Sequence, residues 1–238
     1  MFFDPLYIIM ILPAMLLALW AQGKVKYNLN KFAGAPTQRG MTGAQVAAKM
    51  LADQGIRDVT IERLPENQKW ADHYDPKHKA IRLSPPVYDQ TSITAVAVAA
   101  HEVGHAIQHS EAYVPLAFRS GMFPVVRIGS GLAIPLIIAS ILLQAFAFIT
   151  PEIAHIIMMA GIIMFTTVVA FQLVTLPVEF NASTRAREIL ETSGFIVNDE
   201  EVRGTKKVLS AAAMTYVAAA ATAIMQLIYW IMVASRSR

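Results

Sequence analysis

Residues 128–178 read IGSGLAIPLIIASILLQAFAFITPEIAHIIMMAGIIMFTTVVAFQLVTLPV, 51 residues whose single charged side chain is Glu152. Glu152 divides the stretch into uncharged runs of 24 residues (128–151) and 26 residues (153–178). A bilayer crossing needs about 17–25 apolar residues, because a helix rises ~1.5 Å per residue through ~30 Å of hydrocarbon. Each run is long enough, and the Thr150-Pro151-Glu152 turn between them predicts a membrane hairpin. The competing reading, buried helices of a soluble protein, fails on number. Residues 5–23 and 208–235 are uncharged as well, in runs of 19 and 28 residues, and too few amphipathic helices remain to cover four such cores.

Composition agrees. Of 238 residues, 55% are hydrophobic and 16% charged, and the mean hydropathy is +0.45. The four runs hold 97 residues and no charge, so the other 141 carry all 37 charged side chains. That is the density of an ordinary soluble domain, about 25%. The chain joins a water-facing part to four membrane-length segments, which excludes a purely soluble or disordered protein. The first run is preceded only by Asp4, and Ala18-Leu19-Trp20-Ala21 is no small-x-small cleavage site. An uncleaved anchor is expected rather than a signal peptide.

Four crossings put residues 24–127 and 179–207 on one side of the membrane. Those segments hold 13 and 5 of the 20 Lys and Arg residues, with Lys24, Lys26 and Lys31 directly beside the first crossing. The positive-inside rule makes that side cytoplasmic and both termini external, with Arg236 and Arg238 the one dissenting signal. An integral membrane protein with its water-facing segments in the cytoplasm is expected. The pI near 9.2 is accounted for by juxtamembrane anchoring charge, so no nucleic-acid partner is expected. The absence of cysteine discriminates no compartment.

Within residues 24–127, Thr42 caps a helix that Gly55 ends, and residues 59–64 alternate as a strand. Residues 65–79 read as a polar loop, residues 80–83 as a second strand stopped by Pro85-Pro86, and residues 91–109 as a long helix. That helix contains His101-Glu102-Val103-Gly104-His105. Histidines at i and i+4 lie one above the other on a helical face, so both imidazoles can reach one Zn2+ ion at ~2.0–2.1 Å. The Glu between them can face the same cavity and carry a proton from the attacking water to the leaving amine. With 6 His and 10 Glu in the chain, on the order of 0.01 chance matches to this pattern are expected. A helix preceded by a short strand is the context such a catalytic helix needs.

A catalytic zinc needs a third protein ligand. His109 continues the i+4 stripe but stands about 12 Å along the axis from His101, so it reads as a supporting or surface residue. The metzincin extension would need glycine and histidine where the chain has Gln108 and Glu111. Glu179 sits where the third crossing meets the cytoplasm, on the side of the histidine pair, and a carboxylate at that boundary calls for a partner. On position alone, an interfacial Glu at the head of a helix begun near Pro177 reads equally well.

The combination of His101-Glu102-Val103-Gly104-His105 with Glu179-Phe180-Asn181-Ala182-Ser183 beyond a membrane hairpin resembles the YugP-type neutral zinc metallopeptidase family of bacteria. Asp72-His73-Tyr74-Asp75-Pro76 and Ile81-Arg82-Leu83-Ser84 carry the resemblance further, and it covers most of the chain. More distantly the chain is similar to membrane gluzincins of the HtpX and CAAX-protease type. The resemblance implies His101, His105 and Glu179 as zinc ligands and Glu102 as general base. In the distant relatives an Asp four residues after the ligand Glu supports a ligand histidine; here Ser183 stands in that place, a neutral hydroxyl that would tune the metal differently.

The fold class expected is therefore a mainly α integral membrane protein, with four transmembrane helices and a small α+β zincin-like cytoplasmic domain. The crossings are residues 1–23, 128–151, 153–178 and 208–235, with a separate cytoplasmic helical segment at 179–207. The function expected is a zinc metalloendopeptidase acting on peptide or membrane-protein substrates beside the lipid bilayer. Residues 80–83 are expected to be an edge strand on which substrate pairs. Oxyanion donors are sought among His73, Tyr74, Tyr113 and Arg185, with Arg185 and His73 ranked first as catalytic residues. Two alternatives stand beside this. A non-catalytic zinc-stapled scaffold would leave Glu102 without a role, and a site-2-type intramembrane protease would need an Asp-Gly motif that the chain lacks. Runs of alanine at 211–213 and 218–221 permit close helix packing within one chain or in a homo-oligomer.

Overall fold

A computed structural model describes residues 4–236. The start of the expected first crossing (residues 1–3) and Arg238 of the tail lie outside the described residues. The described chain is mostly helical, with four helices long and apolar enough to cross a membrane: α1 (Pro5–Ala33), α5 (Val114–Ala145), α6 (Pro151–Thr192) and α7 (Asp199–Arg236). Between α1 and α5 run α2 (Gly43–Asp53), β1 (Thr60–Arg63), β2 (His73–Asp75), β3 (Ala80–Leu83), α3 (Pro85–Tyr88) and α4 (Ile93–Ser110).

The chain divides into two compact units. One comprises the segment up to Trp20, Phe118–Leu176 and the chain from Tyr216 onward. Its interior is a seam of Ile137, Met158, Ile162, Tyr229 and Trp230, with the Tyr7 ring edge-on to Tyr229 at 4.9 Å. Its outer faces are apolar too: Ile9, Phe146, Phe148, Ile156 and Ile163 are 64–74% exposed. The second unit comprises Ala21–Ala117 and Pro177–Thr215. Its core gathers Met50, Leu51, Ile81, Leu83, Val96, Val103 and Ile107 with Leu190 of α6 and Val208 of α7.

Local chemistry sets the elements of the second unit. Thr42 Oγ accepts the Gln45 N–H at 3.2 Å while Gln45 Oε1 accepts the Thr42 N–H at 2.9 Å, a reciprocal cap that starts α2. Gly55, at φ +71°, takes the left-handed turn that stops it. Ser92 Oγ accepts the Ala95 N–H at 3.2 Å and starts α4. Fourteen residues of α4 are buried, so it is the central helix of this unit.

Several expectations are corrected. The strand β3 is not an edge: it is central in the order β1-β3-β2, parallel to β1 and antiparallel to β2. The polar loop at 65–79 supplies that extra partner. Asp75 Oδ1 accepts the N–H groups of Lys77 and His78, an Asx-type turn that folds β2 back onto β3. Residues 179–207 are not a separate helical segment, because α6 runs unbroken through Pro177 and Glu179. Pro177 therefore begins no helix. The helix that holds most of the uncharged run 128–151 has other bounds than that run: α5 starts at Val114 and ends at Ala145, Ala147 at φ +57° makes the turn, and Pro151 opens α6.

Candidate metal centre

The helix α4 stacks His101 and His105 one turn apart, ring centroids 4.7 Å from each other. From α6, Glu179 Oε2 comes within 3.2 Å of His101 Nε2 and 3.6 Å of His105 Nε2. One ligand-capable atom from each of the three residues lies within 4.8 Å of the other two. A tetrahedral ion with arms of ~2.0–2.1 Å holds its donors about 3.3–3.4 Å apart, and the two contacts of Glu179 bracket that edge length. Two imidazole nitrogens and a carboxylate oxygen are donors that suit zinc. Glu102 is 6% exposed, one residue from the first ligand-capable histidine.

The electrostatics favour a cation. Burial pushes the Glu179 carboxyl up, but hydrogen bonds and charge from His101 and His105 outweigh it and hold the group well below the usual carboxylate range. Burial likewise pushes His105 down, and Glu179 and Glu102 more than reverse this. Two imidazoles held against a carboxylate 2% exposed make a site where positive charge is stabilised.

The far side of each imidazole is fixed. His105 Nδ1 is 3.0 Å from Gln108 Oε1. The Gln108 amide Nε2 donates to Val178 O at 2.8 Å and Asn181 Oδ1 at 2.9 Å, so its oxygen must face the histidine. That oxygen accepts and Nδ1 carries a proton, so Nε2 is the nitrogen on the Glu179 side, the one whose lone pair a metal ion held there would take. Ser183 Oγ, 3.2 Å from His101 Nδ1, holds the other ring through a hydroxyl that can donate to or accept from that nitrogen. The hydroxyl thus occupies the place expected for it at four residues past Glu179.

The helices must approach closely for Glu179 to reach. A Cβ on Gly104 would stand 2.6 Å from the backbone oxygen of Ala182, so only glycine between the two histidines lets α6 lie this near α4. Ala182 and Ala186 on the facing side are fully buried.

The other candidates fall elsewhere. His73 and His109 do not join the three-residue group. His73 lies on β2, its ring exposed and its Nδ1 2.8 Å from Ala71 O. The Tyr74 hydroxyl is 2.7 Å from His109 Nδ1, and burial raises the Tyr74 phenol to about 12. Arg185 Nε donates to Asn181 Oδ1 at 2.8 Å and its guanidinium pairs with Glu111 at 2.7 Å. Tyr113 follows the turn that ends α4, its N–H donating to Gln108 O at 2.9 Å.

Sequence reasoning missed Gln108 and Asn181. Gln108 had registered only as a missing metzincin glycine, although i+3 from His105 is a facing position on a helix. It also missed the tie of Asp72 to Ser84, whose N–H and Oγ reach the carboxylate at 2.7 and 2.9 Å. Burial pushes the Asp72 carboxyl up against those bonds, and the charge of Glu102 adds to the push.

A His–His–Glu donor set carried by two helices, with a buried Glu beside the first histidine, defines the class of zinc-dependent hydrolases. The chain belongs to the neutral zinc metallopeptidase family: residues 7–235 match the family model described as "putative neutral zinc metallopeptidase". It is similar to the "putative membrane protease YugP" of Bacillus subtilis (strain 168), 46% identical over 228 residues that cover 96% of each chain. No solved structure matches it. Zinc is the metal this family implies, and the His101, His105 and Glu179 group can hold it.

Proposed function

We propose that the protein is a gluzincin-like zinc metalloendopeptidase embedded in the bacterial plasma membrane, hydrolysing peptide bonds of membrane-associated polypeptides at the cytoplasmic face. The observation that carries this reading is the approach of Glu179 Oε2 to both imidazoles of the His-Glu-x-x-His helix. His101, His105 and Glu179 are the ligands. Zinc held there would supply Lewis acidity, toward a scissile carbonyl oxygen and toward a water molecule, whose pKa it would lower toward ~7. Glu102 takes the proton from that water and passes it to the leaving amine. Gln108 keeps the His105 imidazole in the tautomer that leaves Nε2 to the metal, Ser183 holds the His101 ring, and Arg185 supports Gln108 through Asn181.

The edges of the sheet are β1 and β2 rather than β3, and β2 packs against α4, so an extended substrate pairs along His73–Asp75. His73 is then the oxyanion donor nearest the substrate backbone. Its Nδ1–H is taken by Ala71 O, so it donates from Nε2 only as the imidazolium. The membrane part of the reading is supported by four apolar helices and by 18 of 20 basic residues in the segments assigned to one face.

The test is Glu102→Gln. The variant should keep its zinc and lose cleavage by about 10²–10⁴-fold, with the corresponding peptide termini disappearing from membranes compared by proteomics. A scaffold stapled by zinc would keep both its metal and its function, and unchanged termini would refute the peptidase.

A further inference from the structure

A cavity of about 370 Å³ opens beside α6, among residues of α1, α6 and α7. It joins two chemistries. Lys24, Arg187 and Lys206 bring three cationic side chains to it, and no carboxylate lines it. Phe180, Leu209 and Met214 give it an apolar wall. The order of these residues along the chain is informative. Lys24 directly follows the uncharged run 5–23, Lys206 stands two residues before the run 208–235, and Arg187 lies beyond the run 153–178. Leu209 and Met214 lie inside the last run. On all three helices, positive charge stands at or beyond the point where apolar sequence ends.

We infer that this cavity binds an anionic phospholipid, its phosphate among Lys24, Arg187 and Lys206 and the head of an acyl chain against Phe180, Leu209 and Met214. The inference rests on the membrane reading above. Charge complementarity selects the occupant: a zwitterionic lipid brings its own cation to a site already holding three, and a soluble phosphate leaves the apolar wall wet. Arg187 Nε stands 3.7 Å from Glu191 in an exposed i,i+4 pair, an interaction that solvent keeps weak and that a phosphate can displace. The cavity also touches the metal centre's support. Ser183, whose Oγ holds His101 Nδ1, is part of its lining, so a bound headgroup lies beside the hydroxyl that orients a ligand.

The full-length zinc-loaded protein in non-ionic detergent is titrated with phosphatidylglycerol or with phosphatidylcholine of the same acyl chains, and bound lipid is counted by native mass spectrometry. One phosphatidylglycerol should bind at least about tenfold more tightly than phosphatidylcholine. The Arg187→Gln/Lys206→Gln variant should lose that preference, and Ala213→Trp, which fills the apolar side with every charge intact, should weaken binding by a similar factor. The Arg119→Gln/Arg127→Gln variant should bind as the wild type does, and retained zinc reports that each variant is folded. Equal binding of the two lipids, unchanged binding by the Arg187/Lys206 variant, or displacement by equimolar glycerol 3-phosphate would each overturn the inference. Carbonate extraction separates it from the membrane reading. A chain released from membranes refutes both, whereas a chain that stays while the Arg187/Lys206 variant binds normally refutes this inference alone.

Discussion

The two compact units bury their apolar side chains by opposite rules. In the unit that carries the metal group, α4 is enclosed on nearly every side and polar atoms are matched in chains such as His105–Gln108–Asn181–Arg185–Glu111. In the other unit the helices are apolar inside and out: only 11% of the α1 window and 28% of the α5 window are buried. Water penalises exposed Ile, Leu and Phe in contiguous patches of that extent, whereas hydrocarbon does not. The difference teaches what each unit uses as solvent. The metal-bearing unit is assembled by the hydrophobic effect and pairs most of its buried polar groups, Thr205 Oγ1 being an exception. The other unit satisfies its backbone within helices, and on the proposed membrane reading its apolar outer surface faces lipid.

The contrast can be broken most severely at the ligand that α6 contributes. Glu179→Ala should reduce zinc affinity more than about 100-fold, beyond the 10–100-fold typical of supporting residues, while His109→Ala retains the metal. Metal content after dialysis against a weak chelator reads the outcome, and full zinc in Glu179→Ala would remove Glu179 from the ligand set. Next in size is a lysine placed in each unit. Ile163→Lys, on a 64% exposed position near the middle of α6's uncharged run, should disfavour insertion by about 2.5–3.5 kcal/mol. Val197→Lys, at a 48% exposed position of the metal-bearing unit, should stay within about ±0.5 kcal/mol. Membrane-fraction yield and thermal stability in detergent compare them; equal effects would erase the distinction between the units.

Gly104→Ala tests the close approach of the two helices. Its Cβ meets the Ala182 carbonyl, so α6 must retreat, at about 1–3 kcal/mol and with weaker zinc binding. A melting curve and a zinc titration on the same preparation check this. Smallest is Ser183→Ala, which should weaken zinc by about tenfold, the low end for a supporting group because the hydroxyl is neutral. Ser183→Asp should recover or exceed wild-type affinity, since a carboxylate raises the basicity of His101; weaker binding than Ser183→Ala would show that the position does not support the ring.

The helical and membrane-length character of the chain was legible from the uncharged runs, and the histidine pair from its spacing, because both depend on neighbours within a turn or within one helix. The small sheet was only half legible. Residues 59–64 and 80–83 show strand character by alternation or apolar content, but β2 is three polar residues long, and its pairing partner rather than its own sequence makes it a strand. Misplacing the edge on β3 followed directly from that omission. Arg185 was ranked by position as an oxyanion donor; its contacts with Asn181 and Glu111 are ones that no local pattern announces. Glu179 was ambiguous until the family resemblance was added, and the helix start that made it look ordinary does not exist, since α6 continues through it.

By itself, then, the sequence determined which segments are long and apolar enough to cross a bilayer, where positive charge gathers beside them, and that two imidazoles share a helical face. These follow from run length, charge counting and a 3.6-residue period, all properties of contiguous chain. Only the tertiary structure decided that Glu179, 78 residues from His101, closes the metal group, that Gln108 and Ser183 hold the far sides of the two rings, and that β3 is central with β2 at an edge. The physical reason is that these pairings depend on how near two helices can come. That distance is set where a glycine between two histidines meets the backbone of an alanine far along the chain.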